Sequence, residues 1–254
     1  MLNQFSPWQP NMTRLDQVRQ TVETFIAPGQ VTEVRALAVD VNPNYQPVYS
    51  GYFDCADAIL SAVTQLLECA GIYLIPNPVD PRLLARAVNR LIPARGGMTT
   101  ADTHIVRRRY FMVDLDPLRP SGISSTNEEL SWALAKADVI RSELNSEGWP
   151  TPITACSGNG AHLIFKVDLP TDDGGLITNC LETLSRRFGD DRVSVDTAVG
   201  NPARGLRLYG TRARKGDPTL DRPHRHSEIL STPEDYSEVS KPLLTKLATA
   251  AGKR

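Results

Sequence analysis

The sequence predicts an α+β protein with a ferredoxin-like half, and two observations predict it. From residue 109 onward the hydrophobic pattern reads strand, helix, strand, strand, helix, strand, the split β-α-β order of ferredoxin-like domains. Upstream, residues 33–105 interleave short apolar runs with helical periodicities and read as an α/β half of their own. A chain of 254 residues fits one to two domains and can bury a core without disulfides. No linker-like change of composition separates the halves, so two subdomains sharing one interface are expected.

The elements follow in order. Residues 1–32 form an N-terminal segment with one amphipathic helix over Arg14–Phe25. Val34–Val41 and Val48–Phe53 are apolar runs of strand length. Asp54 is placed to cap a helix whose Ile59, Val63, Leu66 and Leu67 recur at helical spacing, with Gly71 closing it. Ile72–Ile75 reads as a strand. Asp80-Pro81 is a cap with proline at the first helical position, and Leu83, Leu84, Ala87, Val88 and Leu91 share one helical face. Pro93–Thr103 is a Gly/Thr-rich loop. The second half, residues 106–232, begins with the strand Arg109–Leu115. Thr126 and Glu129 form a capping box that opens a helix to about Asn145. Ile153–Cys156 and Ala161–Val167 are strands joined by the turn Ser157-Gly158-Asn159-Gly160. A helix near Gly175–Phe188, strands at Val193–Val195 and Leu206–Gly210, and a strand at Ser227–Leu230 follow. Residues 233–254 close with a helix over Glu234–Ala251. The ending Ala250-Ala251-Gly252-Lys253-Arg254 does not resemble a natural stop, so further domains in a longer protein are expected.

Composition excludes several classes. Hydrophobic residues at 41% and charged residues at 22% match a soluble globular chain. Aromatics at 6% are too few for a protein built on stacking alone. No apolar run approaches the ~18 residues of a membrane span, and the first thirty residues lack a signal-peptide pattern. Cys55, Cys69, Cys156 and Cys180 form no C-x-x-C pair, which argues against structural zinc and fits a reducing cytoplasm. A net charge of -1 excludes nucleic-acid binding by bulk positive charge, so the position of each cation matters more than the total.

Three constellations carry chemistry. In Tyr110-Phe111-Met112-Val113-Asp114-Leu115-Asp116, strand alternation puts Asp114 and Asp116 on one face. Two adjacent carboxylates are unfavourable unless a cation neutralises them, and such hard ligands suit Mg²⁺ or Mn²⁺. Two solvated aspartates at a strand end fit the same pattern. In Ser157-Gly158-Asn159-Gly160-Ala161-His162, the two glycines permit a tight turn whose N–H groups can face an anion. His162 follows at the start of the next strand; an ordinary hairpin with a half-buried histidine is the plainer reading. Ala155 stands where a serine-hydrolase elbow needs glycine. In the third, Val193-Ser194-Val195-Asp196 ends a strand in a third acid. Arg204, Arg207, Arg212, Arg214 and Lys215 then supply five cations with no acid between residues 201 and 216. Arginine forks match phosphate oxygens. Together these are the parts for attack of a 3′-hydroxyl on an α-phosphate.

The set Asp114-x-Asp116, Ser157-Gly-Asn-Gly-Ala-His162, Asp196, Asn201-Pro-Ala-Arg204 and Arg207-Leu-Tyr-Gly resembles the archaeo-eukaryotic primase (AEP) superfamily. It is most similar to the primase-polymerases (PrimPol type) of bacteriophages and mobile elements. The resemblance covers about residues 33–230. It implies an AEP-type catalytic core, in which an RRM-like (ferredoxin-like) half packs on the N-terminal α/β half. It implies a template-dependent DNA primase and DNA polymerase that adds nucleotides from NTP or dNTP. Asp114, Asp116 and Asp196 would coordinate two Mg²⁺ or Mn²⁺ ions and be the catalytic acids. His162, with Ser157, Gly158, Asn159 and Gly160, would hold the incoming nucleotide's phosphates. Arg204, Arg207 and Lys215 would balance the remaining charge. Many relatives carry serine where this chain has Gly160, and Ser157 is the candidate replacement. The implied partners are a single-stranded DNA template, a primer and a downstream helicase domain or replicative helicase, in a bacterial or phage-infected cytoplasm. Arg107, Arg108, Arg212 and Arg214, with the segment Arg222–His226, are candidates for salt-sensitive contacts to the DNA backbone; plain solubility accounts for Arg107, Arg108 and Arg222–His226 equally.

Two other classes compete. His224-Arg225-His226 has the histidine spacing of HUH-type replication-initiator nucleases, but Arg225 is the wrong middle residue and Pro223 disfavours a central strand. A non-catalytic RRM-like single-strand binder needs aromatics on its sheet face, where this chain has acids and a histidine.

Overall fold

The computed structural model describes residues 12–38, 47–66 and 69–250. Two antiparallel five-stranded sheets organise it. The first holds β1 (Thr32–Leu37), β2 (Val48–Phe53), β3 (Gly71–Leu74), β4 (Ile92–Pro93) and, from much later in the chain, β9 (Leu206–Arg207). Their order is β4-β2-β1-β3-β9. The second holds β5 (Arg108–Pro117), β6 (Ile153–Cys156), β7 (Ala161–Leu169), β8 (Val193–Val195) and β12 (Glu228–Ser231), in the order β12-β6-β7-β5-β8. β10 (Arg212–Ala213) and β11 (Arg225–His226) form a separate small pair. The helices are α1 (Arg14–Phe25), α2 (Ala56–Thr64), α3 (Asn127–Ser146), α4 (Leu176–Phe188) and α5 (Lys241–Thr249).

The run β5-α3-β6-β7-α4-β8 is the predicted ferredoxin-like unit, with its four strands arranged β8-β5-β7-β6. Alternation along β5 sends Phe111, Val113 and Leu115 into a core with α3, α4 and α5. Tyr110, Met112, Asp114 and Asp116 occupy the opposite face. A second core lies between that face and the first sheet, where α1 and α2 pack with Ile153, Ala155 and Ile164. α1 is pinned at this junction by Phe25, whose ring meets Tyr110 at 5.3 Å and Tyr209 at 6.4 Å. The capping box at Thr126 and Glu129 forms as expected.

Several expectations fail for local reasons. The helix after Asp80-Pro81 is only a 3₁₀ segment, Pro81–Arg86. Beyond it, Ala87 O accepts the Tyr52 N–H and Asn89 N–H donates to Tyr52 O, so the edge of β2 captures this backbone. Asp54 does not cap α2. Its carboxylate accepts from Asn89 Nδ2 at 2.9 Å, and Cys55 takes the cap position without a side-chain bond. Gly71 opens β3 rather than closing α2. The closing helix begins at Lys241, not residue 234, because Glu238 bridges to Lys166 and Val239 N–H donates to Lys166 O. The expected strand Leu206–Gly210 shortens to two residues and joins the first sheet, so the chain re-crosses the boundary expected at residue 105. Residues 39–41, Leu67 and 251–254 lie outside the described residues.

Candidate active site

β5 pairs with β7 so that Asp114 lies opposite His162, and with β8 so that Asp116 lies opposite Ser194. Asp196 follows directly, its N–H donating to Asp114 O at 2.9 Å. The three acids therefore gather at one end of the second sheet. The facing wall comes from the first sheet. Pairing of β9 with β3 sets Arg207 opposite Tyr73, and the guanidinium stacks 4.5 Å from the Tyr73 ring centre. Between the walls lies a cleft of about 210 Å³, lined by Asp114, Asp116, Asp196, His162, Arg204, Arg207 and Lys215. The acids reach it from the second sheet, whereas Arg207 comes from the first sheet and Arg204 and Lys215 from the loops that flank β9 and β10. No sequence periodicity could have announced that division.

The electrostatics are unbalanced. Burial pushes Asp114 up, but His162 at 3.4 Å, together with Lys215 and Arg204, holds that carboxyl below the ordinary value. Asp116 moves the other way: burial and then the Asp114 charge raise it. Arg119 lies 3.4 Å from Asp116 and only partly offsets this. Arg207 is 6% exposed, and its Nε and Nη1 find no hydrogen-bond acceptor among the described residues. Leaving buried donors unmet is costly, so this guanidinium is poised for an anion from outside the chain.

His162 is held from behind. Its Nδ1 lies 2.6 Å from the Tyr209 hydroxyl. Tyr209 is fully buried, and burial, then Asp114, raises its phenol well above its usual value. The Tyr209 contact engages Nδ1 and leaves Nε2 facing Asp114, at 3.4 Å, and the cleft. Tyr209 is the residue that sequence reasoning left without a role. Its place two positions after Arg207 in the expected strand was the available signal, although the strand ends at Arg207 and Tyr209 lies in the turn beyond it.

The glycine turn is not an anion cradle. Ser157 Oγ accepts the Gly160 N–H at 2.9 Å and the Asn159 N–H at 3.4 Å, Ser157 N–H donates to Gly160 O, and Gly158 N–H donates to Cys156 Sγ. All four donors of the turn are thus spent internally. The glycines are there for space. A Cβ on Gly160 would lie 2.3 Å from Leu115 O, which leaves no room for a serine there, and Gly158 has φ +94° and a Cβ on it would lie 2.7 Å from Ala213 Cβ. Asn159 turns its Oδ1 to the Ser125 N–H and anchors the loop before α3. Of the four turn residues, the Ser157 and Asn159 side chains remain on the cleft wall.

The remaining candidates divide. Arg204 lines the cleft while bonding Asn201 Oδ1 and Ala198 O. Arg108 is 4% exposed, donates to Gly200 O and pairs with Asp173 at 3.2 Å. It is a structural cation, and the expectation that it tracks DNA fails. Arg107 is bidentate to Asp168. Both stand about six strand positions, or ~20 Å, from the acids. Arg222 is clamped to Glu129 and Arg225 to Ser125 O. His224 and His226 share no site, since His224 Nε2 bonds Gly216 O and His226 lines a different hollow. Arg212 and Arg214 also lie in that hollow, outside the cleft.

An oxygen-only donor set with internal repulsion suits a hard divalent cation, and Asp114 with Asp116 are the residues able to hold one. Among the described residues no group of three or more His, Cys, Asp or Glu side chains forms a ready-made metal cage. Asp196 Oδ1 accepts the Ala198 N–H at 2.8 Å, capping a 3₁₀ turn, while the residue also lines the cleft.

No family model and no curated protein matches the sequence. Among solved structures, the crystal structure of primase RepB′ is similar, with a TM-score of 0.51 and 12% sequence identity over 92% of this chain. The fold is primase-like. This chain spans 62% of that chain. The antiparallel sheets and the ferredoxin-like half described above are consistent with that fold. Among the described residues no helix is long and apolar enough to cross a membrane.

Proposed function

We propose that the protein is a nucleotidyltransferase of the primase and DNA-polymerase type, adding nucleotides from NTP or dNTP to a strand on a single-stranded DNA template. The observation that carries this reading is the cleft itself. Paired, mutually repelling carboxylates on a primase-like fold face a buried arginine whose donors are unmet. The subtype that fits the motif set is the AEP primase-polymerase of phages and mobile elements, working beside a helicase.

In this reading the guanidinium of Arg207, which borders the cleft, offsets the charge of the triphosphate. Arg204 and Lys215 neutralise its remaining charge. His162 presents Nε2 to a β- or γ-phosphate oxygen, with Tyr209 engaging Nδ1. When bound at Asp114 and Asp116, with Asp196 recruited, Mg²⁺ or Mn²⁺ would acidify the attacking 3′-hydroxyl and offset charge on the departing pyrophosphate. The cleft walls hold the nucleotide in line for attack.

The test is template-directed incorporation of labelled nucleotides, run with and without a primer, in Mg²⁺ and in Mn²⁺. Incorporation that requires template supports the reading. Strand binding without incorporation in either metal would favour the single-strand binder instead.

A further inference from the structure

Arg207 is held differently from other shielded arginines. Arg108 pairs with Asp173 at 3.2 Å, Arg119 with Asp116 at 3.4 Å and the half-buried Arg35 with Glu33 at 2.7 Å. Arg207 is 6% exposed, and among the described residues it has no salt bridge and no acceptor for Nε or Nη1. What it meets is a ring. β9 pairs with β3 so that Arg207 lies opposite Tyr73, and directly opposite residues of an antiparallel pair share a face. The guanidinium carbon stands 4.5 Å from the ring centre, inside the ~6 Å reach of a cation–π contact.

Gly71 completes this seat. It lies two positions before Tyr73 and so on the same face of β3. Its φ is not in the left-handed region, so its backbone has no need of glycine. The space has that need. A Cβ at Gly71 would lie 2.5 Å from Arg207 Nη1 and 3.1 Å from the Tyr73 hydroxyl oxygen. A Cβ on Gly205 would press on Tyr73 Cβ at 3.3 Å. Tyr73, Gly205 and Arg207 all line the cleft.

A carboxylate would fix the guanidinium as firmly, but it would cancel the charge a triphosphate needs. An aromatic face attracts and orients a cation while leaving its net charge whole. Where water is shut out, that charge acts on a nearby anion more strongly than it would in bulk solvent.

We propose that Tyr73 is a positioning residue for nucleotide binding: with Gly71 beside it, its ring seats Arg207 as an uncompensated charge on the cleft wall and so sets the affinity for triphosphate. The proposal takes the identity of the ligand from the nucleotidyltransferase reading; the seat itself stands on geometry.

The experiment uses the full chain and two probes. One is inorganic tripolyphosphate, titrated by calorimetry in Mg²⁺ and in EDTA. The other is steady-state incorporation of labelled dNTP on a primed template. Tyr73→Leu keeps apolar bulk but removes the ring. It should weaken tripolyphosphate binding and raise the nucleotide KM, each about tenfold, with kcat within about twofold of wild type. Tyr73→Phe restores the ring and should recover most of that loss. Gly71→Ala crowds Nη1 while leaving the ring in place, and should move KM in the same direction as Tyr73→Leu. It carries the test if Tyr73→Leu does not melt cooperatively. The deciding measurement is a double-mutant cycle. In an Arg207→Gln background, Tyr73→Leu should cost no further tripolyphosphate affinity. Additive losses overturn the proposal, as does a Tyr73→Leu protein equal to wild type in both readouts. So does a Tyr73→Phe protein as impaired as Tyr73→Leu, or a wild type that binds no tripolyphosphate in either condition. A wild type that binds tripolyphosphate through Tyr73 and Arg207 but never incorporates nucleotide leaves the seat standing and removes the catalytic reading. An enzyme that incorporates nucleotide and is indifferent to Tyr73→Leu does the reverse.

Discussion

Glu33 on the first sheet and the Asp114–Asp116 pair on the second are buried or half-buried acids on antiparallel sheets of equal size, in opposite circumstances. Glu33 is fully buried and fully answered. It accepts from Arg35 Nη2 at 2.7 Å, Ser50 Oγ at 2.5 Å and the Thr100 N–H at 2.8 Å. Burial pushes its carboxyl up, and these partners bring it below the ordinary value. Asp114 and Asp116 have one another, His162 at 3.4 Å from Asp114 and Arg119 at 3.4 Å from Asp116, and Asp116 is left raised. A satisfied buried charge holds a fold together. An unsatisfied pair destabilises it, and such pairs mark places where something else is meant to bind.

The largest expected effect tests the frustrated pair. Asp114→Asn should lower nucleotide incorporation on the order of 10³-fold while the thermal melt stays cooperative. A variant that extends primers at the wild-type rate would detach the cleft from catalysis.

Next comes the satisfied acid. Glu33→Gln should cost about 3 kcal/mol in urea unfolding, since it strands Arg35. Activity per folded molecule should be unchanged. Glu33's contribution is full above the ordinary carboxyl value of 4.5 and is lost as pH falls through its lower folded value. The acid limb of the wild-type stability profile should therefore shrink in the variant. If Glu33→Gln instead spares stability and abolishes incorporation, the two regions have been assigned the wrong way round.

A smaller effect sharpens the role of the histidine. Tyr209→Phe keeps the ring packing but releases Nδ1, so the nucleotide KM should rise about tenfold and the pH profile of kcat/KM should move. His162→Ala should raise KM at least as far. A Tyr209→Phe enzyme with wild-type KM and pH profile would leave the tyrosine a purely structural part.

The smallest effect has the opposite sign. Asp116 titrates higher in the folded protein than in the unfolded chain, so its ionised form costs stability at neutral pH, and protonation at lower pH relieves that cost. Asp116→Asn should raise the neutral-pH Tm by a few degrees and lose incorporation. Added Mg²⁺ or Mn²⁺ should raise the wild-type Tm and leave the variant's nearly unmoved. Equal metal responses in the two proteins would remove Asp116 from the ion site.

Local chemistry was legible in the sequence. Alternation along β5 fixed the face shared by Asp114 and Asp116, the Thr126–Glu129 box fixed the start of α3, and the order of elements from residue 109 foretold the ferredoxin-like sheet. Each depends on residues within a few positions of one another, where backbone geometry alone sets the outcome. Tertiary structure decided what depends on distant partners. It sent Leu206–Arg207 to the first sheet, so Arg207 faces the acids from across a cleft. It also buried Arg108 against Asp173, spent the turn's N–H groups on Ser157, Gly160 and Cys156, and put Tyr209 behind His162. A side chain's spacing in sequence tells which way it points from its own strand, whereas what waits there is settled only when far segments pack and every buried polar group competes for a partner.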